Sequence, residues 1–280
     1  MTARPFYYAY NDAMFKRIFG DERDTEPLVA FLQAVLDLPP EDYAEVSLIN
    51  PSLARERPED KQGILDVRVR SASGTSIDIE IQLNNVSEIR ERIIYYLSRM
   101  VTDQIGSGDE YQNIKRSICI LITDFALVRE NAAYHNKYRL YDPRTGSEFS
   151  NLLEVNTLEL PKLPQEGDGT LLWDWLKFVG ARKKEELEML AEKNPQVGKA
   201  IGKLVELNED ERARMLADSR EKLRRDIVSI KRLAEREGRA TGREEERLAI
   251  ARNAIQQNLP VDVIMALTGL SRETIQSLAW

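Results

Sequence analysis

The 280-residue sequence predicts an α/β protein: a helix, three strands, a second helix and a fourth strand, followed by a long helical extension. Three observations carry that expectation. Residues 64–83, ILDVRVRSASGTSIDIEIQL, alternate apolar and polar side chains in two runs around a Gly-containing turn, the pattern of a β-hairpin with one buried face. Residues 86–105 place Ile89, Ile93, Tyr96, Leu97, Met100, Val101 and Ile105 on one stripe at helical spacing. Residues 116–125, RSICILITDF, form a continuous apolar run, as in a central strand covered on both faces.

The remaining elements follow in order. Residues 11–19 and 24–37 have helical periodicity; Asp24 or Thr25 suits the N-cap of the second, and Pro39-Pro40 stops it. Residues 44–53, AEVSLINPSL, read as a short strand. The helix over 86–105 ends at Gly106 and Gly108. Residues 134–141 and 152–160 are further strands, and 161–170, PKLPQEGDGT, is a loop. From Leu171 the pattern is helical, and LLWDWLKFVG sets Trp173, Leu176 and Phe178 for core packing. Residues 209–237 carry a narrow stripe, Leu216, Leu223, Ile227, Ile230 and Ala234, with the 3–4 spacing of a coiled coil. Gly238 and Gly242 weaken that helix, by about 1 kcal/mol each against Ala, and are candidate hinge residues. The last segment, NLPVDVIMALTGLSRETIQSLAW, reads as two short helices with Gly269 at the turn and Ser271 as N-cap. It is either a helix-turn-helix that reads DNA or a small packing or dimerisation module; its second helix offers only Arg272 to a nucleic acid.

The hairpin raises a chemical question. Its odd positions, Leu65, Val67, Val69, Ile77, Ile79, Ile81 and Leu83, make one apolar face. Its even positions include Asp66, Arg68, Arg70, Asp78, Glu80 and Gln82. A three-residue loop of Ala72, Ser73 and Gly74 puts Gly at the left-handed position and pairs Ser71 with Thr75. The same register sets Asp66 opposite Glu80, with Cβ atoms about 4.5–5.5 Å apart. A two-residue loop would break the parity of the apolar face. Two carboxylates so close call for a shared proton or a divalent cation, unless the charged face is simply solvated.

Three blocks of sequence then carry a resemblance. The spacing D-x13-E-x-Q, as Asp66, Glu80 and Gln82, resembles the core motif of the PD-(D/E)XK nuclease superfamily, with Gln in the usual Lys position. NDAMFKRIFGD, at 11–21, and RIIYYLSRMVTDQIGSGDEYQNIKRSICILITDF, at 92–125, resemble the Rpn recombination-promoting nucleases, also called PD-(D/E)XK family transposases. ARNAIQQNLPVDVIMALTGLSRETIQSL, at 251–278, is similar to the usual ending of that group. The resemblance implies a restriction-endonuclease-like αβββαβ core with an α-helical C-terminal extension. It also implies a divalent-metal-dependent endodeoxyribonuclease tied to recombination, mobile DNA or phage defence. Asp66, Glu80 and the Ile81 carbonyl would bind Mg²⁺, or another divalent cation such as Mn²⁺ or Ca²⁺. Gln82 would orient water or hydrogen-bond phosphate, but it lacks the charge of lysine. Asp12 and Lys16, one helical turn apart, are either an ion pair or a face that approaches the site, with Asp12 an outer ligand and Lys16 a phosphate contact. Arg92, Tyr96 and Gln104 match polar positions of the group's helix after the motif and are expected to support the site.

Composition narrows the alternatives. The lone Cys119 allows no disulfide within the chain and sits in an apolar run, as a buried structural thiol does. The lone His135, expected on the surface or in a loop, leaves a His-rich metal site and most Ser-His or Cys-His schemes without partners. The N-terminus lacks the apolar stretch of a signal peptide and no run reaches membrane-spanning length, so the expected location is the cytoplasm, with no membrane partner. The net charge is −7, yet residues 220–252 hold eleven Lys/Arg against seven Asp/Glu. Lys16, Arg17 and Arg23, Arg68 and Arg70, and this late helix are the candidate DNA contacts, unless they are ordinary solvated faces.

The change of pattern after Lys183 predicts three parts: a nuclease-like domain at 1–180, a charged helical region at 181–250 and a small helical module at 251–280. On this reading residues from about 181 are dispensable for folding and govern assembly, as a homodimer, or DNA capture. The competing function is a non-catalytic DNA- or protein-binding module on a decayed nuclease fold.

Overall fold

The structure is a computed structural model that describes residues 5–50, 66–83 and 88–278. Part of the expected first strand (51–53), Leu65 and the expected start of the post-hairpin helix (86–87) lie outside the described residues.

The chain opens with helices α1 (Asp12–Phe19) and α2 (Glu26–Val35). Asn11 caps α1, accepting from the N–H groups of Ala13 and Met14 at 3.1 and 3.4 Å, and Asp12 lies in the first turn, where the helix dipole favours an acid. Strands β1 (Ser47–Leu48), β2 (Val67–Arg70) and β3 (Ser76–Gln82) form an antiparallel meander. Helix α3 (Ile89–Thr102) then crosses over to β4 (Ser117–Thr123), which is parallel to β3. A hairpin of β5 (His135–Tyr141) and β6 (Glu148–Glu159) completes a sheet of order β1-β2-β3-β4-β6-β5 among the described residues, with β6 parallel to β4. Helices α4 (Leu171–Gly180), α5 (Lys184–Lys193), α6 (Pro195–Glu209), α7 (Glu211–Gln256), α8 (Val261–Thr268) and α9 (Arg272–Leu278) follow.

The hairpin register follows from the turn. Ser71 N–H donates to Thr75 O at 2.9 Å, Gly74 has φ +89°, and Arg70 pairs with Ser76, Arg68 with Asp78 and Val67 with Ile79. The odd-position face, with Ile118, Ile120 and Ile122 of β4, packs on α1, α2, α4 and α6 in the main core. At its centre Phe15, Phe19, Phe31, Trp175 and Phe178 make a chain of tilted and edge-on ring contacts. The opposite face is not solvated. Cys119 and Leu121 of β4 meet Ile89, Ile93, Leu97 and Met100 of α3, so the charged side of β3 lies in the layer that α3 covers.

Three expectations need correction. The first compact unit runs to Arg220 instead of ending near 180, and the second comprises 221–280. The reason is burial: Leu187 and Leu190 of α5, Val197, Ala200 and Leu204 of α6, and Ala213 and Ala217 of α7 belong to the main core. These apolar positions lie in charge-rich sequence, which concealed them. Helix α7 also runs unbroken through Gly238 and Gly242, so neither is a hinge in the backbone. Finally, His135 opens β5, part-buried, with Nε2 at 2.9 Å from Asn156 Oδ1.

The second unit packs the end of α7 against α8 and α9 through Ala251, Ala254, Ile264, Leu270 and Ile275. Gly269, at φ +65°, makes the left-handed C-cap of α8, as the turn required. No helix among the described residues is long and apolar enough to cross a membrane.

Candidate active site

Asp66 stands just before β2, and Glu80 lies near the end of β3 on the neighbouring strand. Their contacts interlock. Asp66 N–H donates to Glu80 Oε1 at 3.1 Å, and Asp66 Oδ2 accepts from the Ile81 N–H at 3.0 Å. The two carboxylates therefore meet where the hairpin register places them. Both are withdrawn from water; Glu80 is 5% exposed.

Helix α1 brings cationic and acidic groups to this pair. Lys16 Nζ lies 2.8 Å from Asp66 Oδ1 and 3.2 Å from Asp12 Oδ1. Arg220, in the first part of α7, reaches Asp12 Oδ2 at 3.4 Å. Lys16 thus both makes the i,i+4 pair and approaches the hairpin. From α3, Arg92 donates through Nη2 to Gln82 Oε1, and its charge also acts on Glu80. The Arg92 Nε is buried with no hydrogen-bond partner among the described residues. Tyr96, one turn further along α3, packs at the edge of the apolar layer and feels the charges of Glu80, Asp78 and Asp66.

Gln104 is elsewhere. Its side chain accepts from Lys115 N–H at 2.7 Å and donates to Lys115 O and Ser117 Oγ, tying the chain after α3 to the start of β4. Ser117 pairs with Ser76, four residues along the strands from Glu80, or about 13 Å at strand rise. Gln104 supports the scaffold and makes none of these contacts with Asp66, Glu80 or Gln82.

Burial and mutual repulsion dominate the electrostatics. Burial, then the charge of Asp66, pushes Glu80 up to about 8, against a smaller pull from Arg92. Burial raises Asp66 as well, with Lys16 opposing. Burial works against the Lys16 ammonium, but Asp66 and Asp12 outweigh it, so its pKa is raised. Asp78, fully buried between Arg68 and Cys119 in register, is driven well above the carboxylate range by burial and then by Glu80 and Asp66. Its Oδ2 lies 3.8 Å from Cys119 Sγ, and its Oδ1 has no partner among the described residues. Asp78 is therefore pushed toward its protonated form. The hairpin parity put it on this face, but sequence alone did not show that α3 would seal it.

The donor set suits a hard divalent ion. Two adjoining carboxylates, forced toward protonation by burial and by each other, gain from a cation that removes both penalties. Among the described residues no group of three or more His, Cys, Asp or Glu side chains is placed to hold a metal ion. Two carboxylates are the ligand number that Mg²⁺ usually takes from a protein, and oxygen donors also suit Mn²⁺ and Ca²⁺.

A mixed sheet whose β2–β3 hairpin presents Asp66, Glu80 and Gln82, with α1 and α3 flanking it, has the PD-(D/E)XK nuclease fold. The family model for PD-(D/E)XK nuclease family transposases matches residues 9–234, and the chain belongs to that family. No curated protein and no solved structure matches it.

Proposed function

We propose that this protein is a divalent-metal-dependent DNA endonuclease, working in the cytoplasm as a homodimer in recombination, mobile-DNA movement or phage defence. The observation that carries the proposal is the buried cross-strand pair of Asp66 and Glu80, with Lys16 and Arg92 converging on it from two different helices. Asp66 and Glu80 would hold Mg²⁺, with the Ile81 carbonyl as a further donor. When bound, the ion polarises the scissile phosphate and lowers the pKa of a water.

The chain's own groups supply the rest. Lys16 is part-exposed beside Asp66 and can neutralise a phosphate oxygen. Gln82 is a neutral amide; it can orient the attacking water but cannot take its proton. The positive charge that a lysine would bring to position 82 comes instead from Arg92, bonded to the Gln82 amide oxygen. Asp12 orients Lys16. Tyr96 closes the apolar side of the site.

The test is plasmid cleavage in Mg²⁺, Mn²⁺ and EDTA, with Asp66→Asn and Glu80→Gln beside the wild type. Cleavage by the wild type alone, abolished by EDTA, is expected. The uncharged Gln82 favours one other reading, a non-catalytic DNA- or protein-binding module on a decayed nuclease fold. Metal-independent DNA or protein binding with no cleavage in any metal would establish that reading in its place.

A further inference from the structure

Helix α7 carries an apolar stripe of exposed side chains. Leu223, Ile227 and Ile230 are each more than half exposed, and Leu233 flanks them at 57%. With Ala234 they lie four and three residues apart; Leu216 lies one heptad before Leu223, with Arg220 between them. Written as a heptad, Ile227 and Ala234 take position a, while Leu216, Leu223 and Ile230 take d. Most of the helix around them is exposed and charged. A single helix in water draws most of its stability from packing an apolar face, and Gly238 and Gly242 weaken this one further.

The flanking charges identify the partner. Asp226 falls at position g, and Lys231, five residues later, falls at e. In a parallel pair of identical helices g faces e of the next heptad on the other chain, so Asp226 meets Lys231 twice, once on each side. In an antiparallel pair e faces e, which would bring Arg224 and Lys231 into like-charge contact. Leu223 at d beside Ile227 at a is the pairing of two-stranded coils, and the homodimer of the preceding section sets the number at two.

We infer that residues 223–234 of α7 form a parallel two-stranded coiled coil with a second copy of this chain. The inference rests on the homodimer of the preceding section and names its surface and direction; it is independent of whether the chain cuts DNA.

The full-length chain and four variants, measured by sedimentation velocity with helicity followed by circular dichroism, test it. Ile227→Asp with Ile230→Asp should give a monomer. Asp226→Lys or Lys231→Glu alone turns two facing attractions into repulsions and should weaken dimerisation about tenfold, or about 1.4 kcal/mol. The double exchange Asp226→Lys with Lys231→Glu should restore it, and the two single variants mixed should pair with each other in preference to themselves. A dimer indifferent to every one of these changes would overturn the surface while leaving the homodimer standing. Single variants that weaken the dimer without rescue by the double exchange would overturn the parallel direction. A wild-type chain that stays monomeric as concentration is raised would remove the inference and the homodimer together.

Discussion

Glu80→Gln should make the metal-free protein more stable, and increasingly so as pH rises. The folded state holds the Glu80 proton up to about 8, against a usual value of 4.5. Between those two pH values the unfolded chain has released this proton and the folded chain has not. The unfolded state therefore binds fewer protons, and stability falls as pH rises through the window. At about 1.4 kcal/mol for each tenfold change in proton affinity, the cost is about 3 kcal/mol at pH 7 and about 5 kcal/mol above pH 9. Gln carries no such cost, and its amide oxygen can still accept the Asp66 N–H. The assay is urea unfolding of both proteins in EDTA from pH 5 to pH 9. The two should be nearly equal in stability at the acid end and diverge steadily above it. Mg²⁺ should then stabilise the wild type more than the variant, because binding to the folded state alone adds stability. Parallel stability curves across the range, or a variant less stable throughout, would refute the account of the carboxylate pair. Asp66→Asn should gain less, since it also takes from Lys16 its 2.8 Å partner.

Truncation after Gly180 should yield insoluble protein, whereas truncation after Arg220 should leave a soluble core, because α5, α6 and the start of α7 bury apolar side chains in the main core; solubility and a thermal melt separate the two. Leu204→Ala, at a fully buried position, should cost about 2–5 kcal/mol by denaturant titration. Gly74→Ala should cost upward of about 1 kcal/mol by the same titration, because φ is +89° and the new Cβ would sit 3.3 Å from Lys115 Cγ; an unchanged midpoint would mean that the turn relaxes.

Much of the core could be read from periodicity. The hairpin register followed from parity and a single glycine, because a one-residue slip would turn every isoleucine of β3 to the wrong face. The all-apolar β4 announced a central strand, and all seven of its residues are buried. The convergence of Lys16 on Asp66 was implied by resemblance; the spacing of Asp12 and Lys16 alone fitted a surface pair equally well. The end of the first unit was misplaced for a physical reason. Helix α5 buries only Leu187 and Leu190 among many charges, α6 buries one stripe, and such a stripe looks the same whether it meets its own core or another chain.

The sequence by itself determined the order of the elements, the register of the hairpin and which residues share its polar face, since strand parity and turn chemistry are local properties. Only the tertiary structure decided what that face became. Helix α3 covers it, so Asp78 and Glu80 lie in a medium that penalises charge, and the same carboxylates that water would keep ionised are held toward their protonated forms. Which helices bring Lys16 and Arg92 to them is equally non-local, because α1 and α3 are separated in sequence and meet the hairpin from different sides of the chain order.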